Sequence, residues 1–145
     1  MFSKKYKFSD WPNTQLPSVA AGVYAIWNNH ELIYCGMSGR EIEKNRHKKK
    51  YGLVTRLASH ASGRLSGDQF CVYVANRCVI PSLTLSDLPK FANGELKLDY
   101  LTKKYIHKNL EYQYAVVGSS AEAFELEEKA RDGSLFNQKP FLNPR

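Results

Sequence analysis

From Gly22 to Gly36 the chain is mostly apolar on both sides of the polar triplet Asn28-Asn29-His30, a pattern that predicts a β-hairpin. A three-residue loop would pair Trp27 with Glu31 and set Tyr24 opposite Tyr34. One face would then carry Tyr24, Ile26, Leu32 and Tyr34, and the other Val23, Ala25, Trp27, Ile33 and Cys35. A two-residue loop would send the two tyrosines to opposite faces, because side chains alternate along a strand. The three-residue register leaves one wholly apolar face for the core and is the one expected.

Downstream the period changes. Tyr51 to Ala61 has apolar residues at Leu53, Val54, Leu57, Ala58 and Ala61, which is helical spacing. Gln69 to Ala75 (QFCVYVA) reads as a strand, residues 76–95 as irregular, Leu96 to Leu110 as an amphipathic helix and Glu111 to Val117 as a further strand. Ser119 and Glu122 fit a capping box. The helix they open runs to about Arg131, ends near Gly133 and faces the core through Ala123, Leu126 and Ala130. Residues 1–21, broken by Pro12 and Pro17, read as an extended arm with Trp11 packed on the core. Residues 37–50 read as a mobile basic loop, and Gln138–Asn143 as an extended tail packing back onto the sheet. His30, His47 and His107 are read as exposed.

Composition narrows the function. With 21 Lys plus Arg against 14 Asp plus Glu, the 145-residue chain carries a net charge of +7. Such a balance favours an anionic partner, nucleic acid being the commonest, over a merely solvated basic surface. No stretch approaches the ~20 apolar residues of a membrane span. Met1-Phe2-Ser3-Lys4-Lys5 lacks the apolar run of a signal peptide. Cys35, Cys71 and Cys78 lack close metal-ligand spacing, and their odd number argues for reduced, buried thiols in a cytoplasmic protein.

The order of the pieces then carries a resemblance. Gly22-Val23-Tyr24, nine residues, and Tyr34-Cys35-Gly36 resemble the paired tripeptides of the GIY-YIG nuclease family. Arg56-Leu-Ala-Ser-His60 is similar to the family's Arg-x-x-x-His, Glu122-Ala-Phe-Glu-Leu-Glu127 to its late helix, and Lys139-Pro-Phe-Leu-Asn143 to its closing segment. The spacing is most like that of the family's small restriction endonucleases. The gap between tripeptides is one residue shorter than usual in the family, and twenty positions separate Gly36 from Arg56.

The resemblance implies an α+β fold: one domain over residues 1–145, with a small antiparallel or mixed sheet flanked by helices. Residues 37–50 would be a basic insertion, and residues 66–110 would hold an inserted strand and helix. It further implies a DNA endonuclease using one Mg²⁺ (or Mn²⁺) held by Glu127. Mg²⁺ keeps most of its waters, so one carboxylate suffices to bind it. Tyr24 would be the general base, with His60 as its proton partner near neutral pH. Tyr34 would hydrogen-bond the phosphate or water, Arg56 would clamp phosphate oxygens, and Asn143 would orient Glu127 or a phosphate.

Lys48, Lys49 and Lys50 could contact phosphates or form a solvated loop. Arg64 could meet a phosphate or sit in an ordinary turn that Asp68 caps. Tyr51, Phe70 and Tyr73 could stack bases or belong to the core. Duplex cutting would call for a homodimer or two nicks. A single-strand nuclease and a non-catalytic nucleic-acid-binding module are the alternatives.

Overall fold

The computed structural model describes residues 1–144. Its centre is the long strand β2 (Val19–Asn28), hydrogen-bonded along one side to β3 (Glu31–Ser38) and along the other to β5 (Glu111–Val117), both antiparallel. A short β1 (Tyr6–Lys7) adds to β5, and β4 (Tyr51–Gly52) pairs in parallel with the start of β2. Helices cover both faces, so the α+β expectation holds. One face packs on α2 (Leu53–Ser62), α3 (Gln69–Val74) and α5 (Leu98–Asn109) through Leu53, Leu57, Phe70, Cys71, Val74 and Ile106. The other packs on α6 (Ser120–Asp132) through Ala123 and Ala130 against Val23, Ala25, Trp27, Leu32 and Cys35. Between these layers β2 is buried from Ala20 to Trp27, which is why it reads as an unbroken apolar run.

The hairpin corrects its expected register. Asn28 pairs with Glu31 and Trp27 with Leu32, leaving a two-residue turn, Asn29-His30, with Asn29 taking the positive φ of 55°. The pairing then shifts by one residue, so that Ile26 meets Tyr34 and Tyr24 meets Gly36. Ile33 is the extra residue of this β-bulge, and a bulge re-aims the side chains beyond it. Leu32 therefore faces α6 and Ile33 the opposite core, the reverse of the expected assignment. Tyr24 and Tyr34 stay on one face as diagonal neighbours, ring centroids 6.3 Å apart.

Gln69–Val74 is helical, not a strand, and a π-helical turn (Ala75–Val79) continues it. The Asp68 carboxylate caps this helix by accepting from the Cys71 N–H at 2.9 Å. Phe70, Cys71, Val74, Ala75 and Val79 then share a buried side. The segment 66–110 thus contributes helices alone, with a short α4 (Leu88–Ala92) before α5. Residues 37–50 are not wholly loop, because α1 (Ile42–Asn45) inserts the fully buried Ile42. His107 is half-buried and donates from Nε2 to the Ala61 carbonyl at 2.7 Å, tying α5 to α2. The Ser119 cap, α6 and its Gly133 terminus lie where expected. Among the described residues no helix is long and apolar enough to cross a membrane.

The tail seals the outer edge of β3. Phe141 and Leu142 donate to the Leu32 and Ile33 carbonyls. The Asn143 amide closes both ways on Cys35, accepting from its N–H at 2.8 Å and donating to its carbonyl at 2.9 Å. Asn143→Ala leaves two edge groups without protein partners and is expected to cost about 1–3 kcal/mol. Urea denaturation reads this as a lower midpoint at unchanged slope; an unmoved midpoint would mean that the clamp adds nothing.

Candidate active site

Tyr24, at the middle of β2, points its phenol across Gly36 toward α2. A Cβ on Gly36 would overlap the Tyr24 Oη and ring, so this position has room only for glycine. Gly22 is constrained likewise, since a Cβ there would strike the Ala115 carbonyl and Leu53. Both tripeptide glycines are therefore required by close approach, the second directly by the tyrosine hydroxyl.

The Tyr24 hydroxyl lies 2.8 Å from His60 Nε2, and His60 Nδ1 lies 2.7 Å from Asp68 Oδ2. Asp68 also accepts from Ser59 Oγ at 2.6 Å, in addition to the Cys71 N–H. Burial acts to raise the Asp68 pKa, but these donors outweigh it and hold the carboxyl at about 2. An ionised carboxylate only accepts, so Nδ1 carries the His60 proton and Nε2 offers a lone pair to the Tyr24 O–H. Burial lowers the His60 pKa, keeping the ring neutral in this chain. The result is a directed relay, Tyr24 to His60 to Asp68, each member 2% exposed. Phe70, with its ring centroid 4.7 Å from that of His60, helps keep it dry.

The other expected members surround this relay. Burial is the main cause that raises the Tyr24 pKa well above its ordinary value; Tyr34, Asp68 and Glu127 add to it and Arg56 opposes. Burial pushes the Tyr34 phenol up to about 12. Arg56, one turn before His60 on α2, is exposed, and its charge bears on both Tyr24 and His60. Glu127, on α6, is half-buried. Burial raises its pKa, while Arg131, the Met37 backbone N–H and Arg40 pull it down. Tyr34, Arg56 and Glu127 thus reach solvent where Tyr24 and His60 do not.

Asn143 belongs to this neighbourhood through β3, yet both ends of its amide are taken by Cys35. It positions the strand that carries Tyr34 and is not turned to Glu127. Lys48, Lys49 and Lys50 are exposed in the turn before α2, Lys48 lying 5.0 Å from the centre of the Tyr51 ring, and Arg64 is exposed just after the other end of that helix. Neither set joins the relay. Phe70 is core and Tyr73 half-buried, its ring centroid 6.4 Å from that of Tyr34.

Asp68 is the member that sequence reasoning assigned only to a turn. Its own pattern, a capping residue followed by apolar positions 70, 71, 74 and 75, is helical.

A half-buried carboxylate with no ion-pair partner among the described residues and a backbone N–H to orient it is a hard oxygen donor suited to a hydrated Mg²⁺. The buried trio His60, Asp68 and Cys71 is also compact enough for a metal. Its donors are already spent: Asp68 has three hydrogen-bond donors and His60 is bonded at both nitrogens. Burial keeps the Cys71 thiol protonated while it donates to the His60 carbonyl. Burial also raises Cys35, to about 12, and Cys78, so none of the three thiols is poised as a nucleophile.

Comparisons with models of protein families, with curated proteins and with solved structures find no match to the chain.

The relay makes a spectroscopic prediction. Long-range ¹H–¹⁵N correlation of the His60 ring should show a neutral Nδ1–H tautomer at about pH 6.5, where a free histidine is half protonated. An imidazolium or an Nε2–H tautomer there would overturn the direction assigned to the relay.

Proposed function

We propose that the chain is a divalent-metal-dependent endonuclease that hydrolyses DNA phosphodiesters. The observation that carries this reading is the buried Tyr24–His60–Asp68 relay beside solvent-reaching Tyr34, Arg56 and Glu127. The motif order that resembles GIY-YIG nucleases supports it, as does the net charge of +7. The three free thiols fit a cytoplasmic enzyme. A cut through both strands would call on a second copy of the chain.

Hydrolysis needs a water deprotonated as it attacks phosphorus, together with charge stabilisation on the phosphate. A free tyrosinate is not the resting base here, because burial raises the Tyr24 pKa. The relay removes that difficulty. As the water oxygen bonds to phosphorus, its proton passes to Tyr24 Oη while the phenol proton passes to His60 Nε2. Tyr24 ends neutral, and the positive charge appears on His60 beside the Asp68 carboxylate. Arg56 would hold phosphate oxygens, and Tyr34 would donate to the phosphate or align the water. Mg²⁺ or Mn²⁺ held by Glu127 would supply Lewis-acid polarisation of the phosphate and stabilise the leaving 3′ oxygen. The P–O3′ bond breaks, and solvent protonates the departing oxygen.

Tyr24→Phe and His60→Ala are each expected to lower the cleavage rate about 10²–10⁴-fold, the usual worth of a positioned general base. Glu127→Ala and EDTA should abolish cutting. If Tyr24→Phe and Glu127→Ala cut plasmid and denatured DNA as the parent does, the mechanism is wrong. Binding without cutting under any divalent metal would instead make the chain a nucleic-acid-binding module.

The pH profile gives an independent check. The relay works while His60 is neutral, so the rate should be lost as pH falls through the folded His60 pKa. Burial depresses that pKa below its ordinary value, which puts the acid limb below the usual histidine range. Asp68 raises it, so Asp68→Asn should lower the plateau rate and move the acid limb to still lower pH. An acid limb at higher pH in this variant would contradict the assigned role.

A further inference from the structure

A groove of about 1090 Å³ runs along the sealed edge of β3, between the π-helical turn, the C-terminal end of α6 and the tail. It lies beside the candidate active site. Tyr73, which lines it, has its ring centroid 6.4 Å from that of Tyr34. Arg131, also in its wall, follows Glu127 by one helical turn and acts electrostatically on both Tyr34 and Glu127.

Three cations line it: Arg77, Arg131 and Lys139. Among the described residues none of them has a carboxylate within ion-pairing distance. Two acids share the lining, Glu31 and Asp132, but the Asp132 carboxylate is occupied by the Ser134 N–H at the end of α6. The tail supplies a second feature. Leu142 is buried to 4%, whereas alternation along the extended tail turns its neighbour Phe141 outward at 45% exposure. The Arg77 guanidinium sits 4.3 Å from the centre of that ring. An exposed aromatic paired with an arginine is a stacking platform for a nucleobase, and the remaining cations are placed for phosphates.

We propose that this groove binds the DNA strand on one side of the scissile phosphate in unpaired form. A base would stack on the Arg77–Phe141 pair, and Arg131 and Lys139 would contact the backbone. The inference rests on the nuclease reading for its substrate and selects single-stranded DNA, or a locally opened duplex, over an intact one. The volume points the same way. It is at the top of the roughly 300–1,000 Å³ range that holds one small molecule, which suits a few nucleotides of one strand and excludes a duplex.

The test is fluorescence polarisation of a fluorescein-labelled dT₁₂ in EDTA, with the full chain, the double variant Arg77→Glu/Lys139→Glu, and Phe141→Ala. Lys103→Glu/Lys104→Glu on α5 makes the same charge change outside the groove, and circular dichroism checks that each variant is folded. The groove double variant should bind at least tenfold more weakly, with a salt slope reduced by about 1.4 for two lost phosphate contacts. Phe141→Ala should weaken binding with little change in slope, and the α5 control should bind close to the parent. Unlabelled duplex should compete at least tenfold less well than dT₁₂. Parent-like binding by the groove variants, or an equal loss in the α5 control, would overturn the groove assignment. Equal competition by duplex would overturn the unpaired-strand claim. Cleavage separates the two readings. Loss of dT₁₂ binding in a chain that cuts nothing would leave the groove standing and the nuclease failed. Parent-like binding and cutting by the groove variants, with Glu127→Ala inactive, would do the reverse.

Discussion

Asp68 carries a full negative charge inside the molecule, and donors from α2 and α3 hold it there. Burying an ionised carboxylate costs several kcal/mol unless its lone pairs are filled with good geometry, and leaving one without its partner costs about 3–5 kcal/mol. Ser59 and His60 come from the last turns of α2 and the Cys71 N–H from the first turn of α3, so the charge permits one arrangement of the two helices. That arrangement fixes the His60 ring, and the ring in turn fixes the Tyr24 hydroxyl on the sheet. A constraint that is structural at Asp68 becomes chemical two hydrogen bonds away.

The parts of the fold that depend on local pattern were legible in the sequence. The hairpin, α2, α5, β5 and the capped α6 all announce themselves by period or by end signals, and the tail by its apolar residues. Register was harder. The reading treated loop length and face assignment as one decision, with a two-residue turn excluding same-face tyrosines. A single bulge at Ile33 uncouples them. Nothing in an apolar run such as Leu32-Ile33 marks which residue will be extra, because both find a core to enter when both faces of the sheet are covered.

Gln69–Ala75 failed for a different reason. Phe, Cys, Val and Tyr favour strands by propensity, yet propensity is a weak prior beside tertiary context. Here the cap at Asp68 and burial at positions 70, 71, 74 and 75 decide for helix. The error hid Asp68 as well, since before a strand it is only a turn residue. Tyr24, Tyr34, His60 and Glu127 were legible because each sits in an ordered motif. Asp68 is not in any of them, and its part appears only once α2 and α3 are seen to meet on it.

The site is built in two dielectric zones, and the chemistry divides along the same line. Tyr24, His60 and Asp68 are dry, and burial raises the phenol's pKa and lowers the imidazole's. In isolation each shift looks inhibitory: a tyrosine harder to ionise and a histidine harder to charge. Together they keep the resting relay neutral at both transferring groups, so a proton entering at Tyr24 can leave to His60 without either holding an uncompensated charge at rest. The compensating charge is already present in Asp68, held at about 2. Tyr34, Arg56 and Glu127 sit where solvent and an anion can arrive, and the cations that touch no carboxylate continue outward from Arg131 into the groove. Gly36 joins the zones. It lets the Tyr24 phenol lie across the strand beside Tyr34, and any side chain there would push the hydroxyl off His60 and disconnect the relay from the surface it serves.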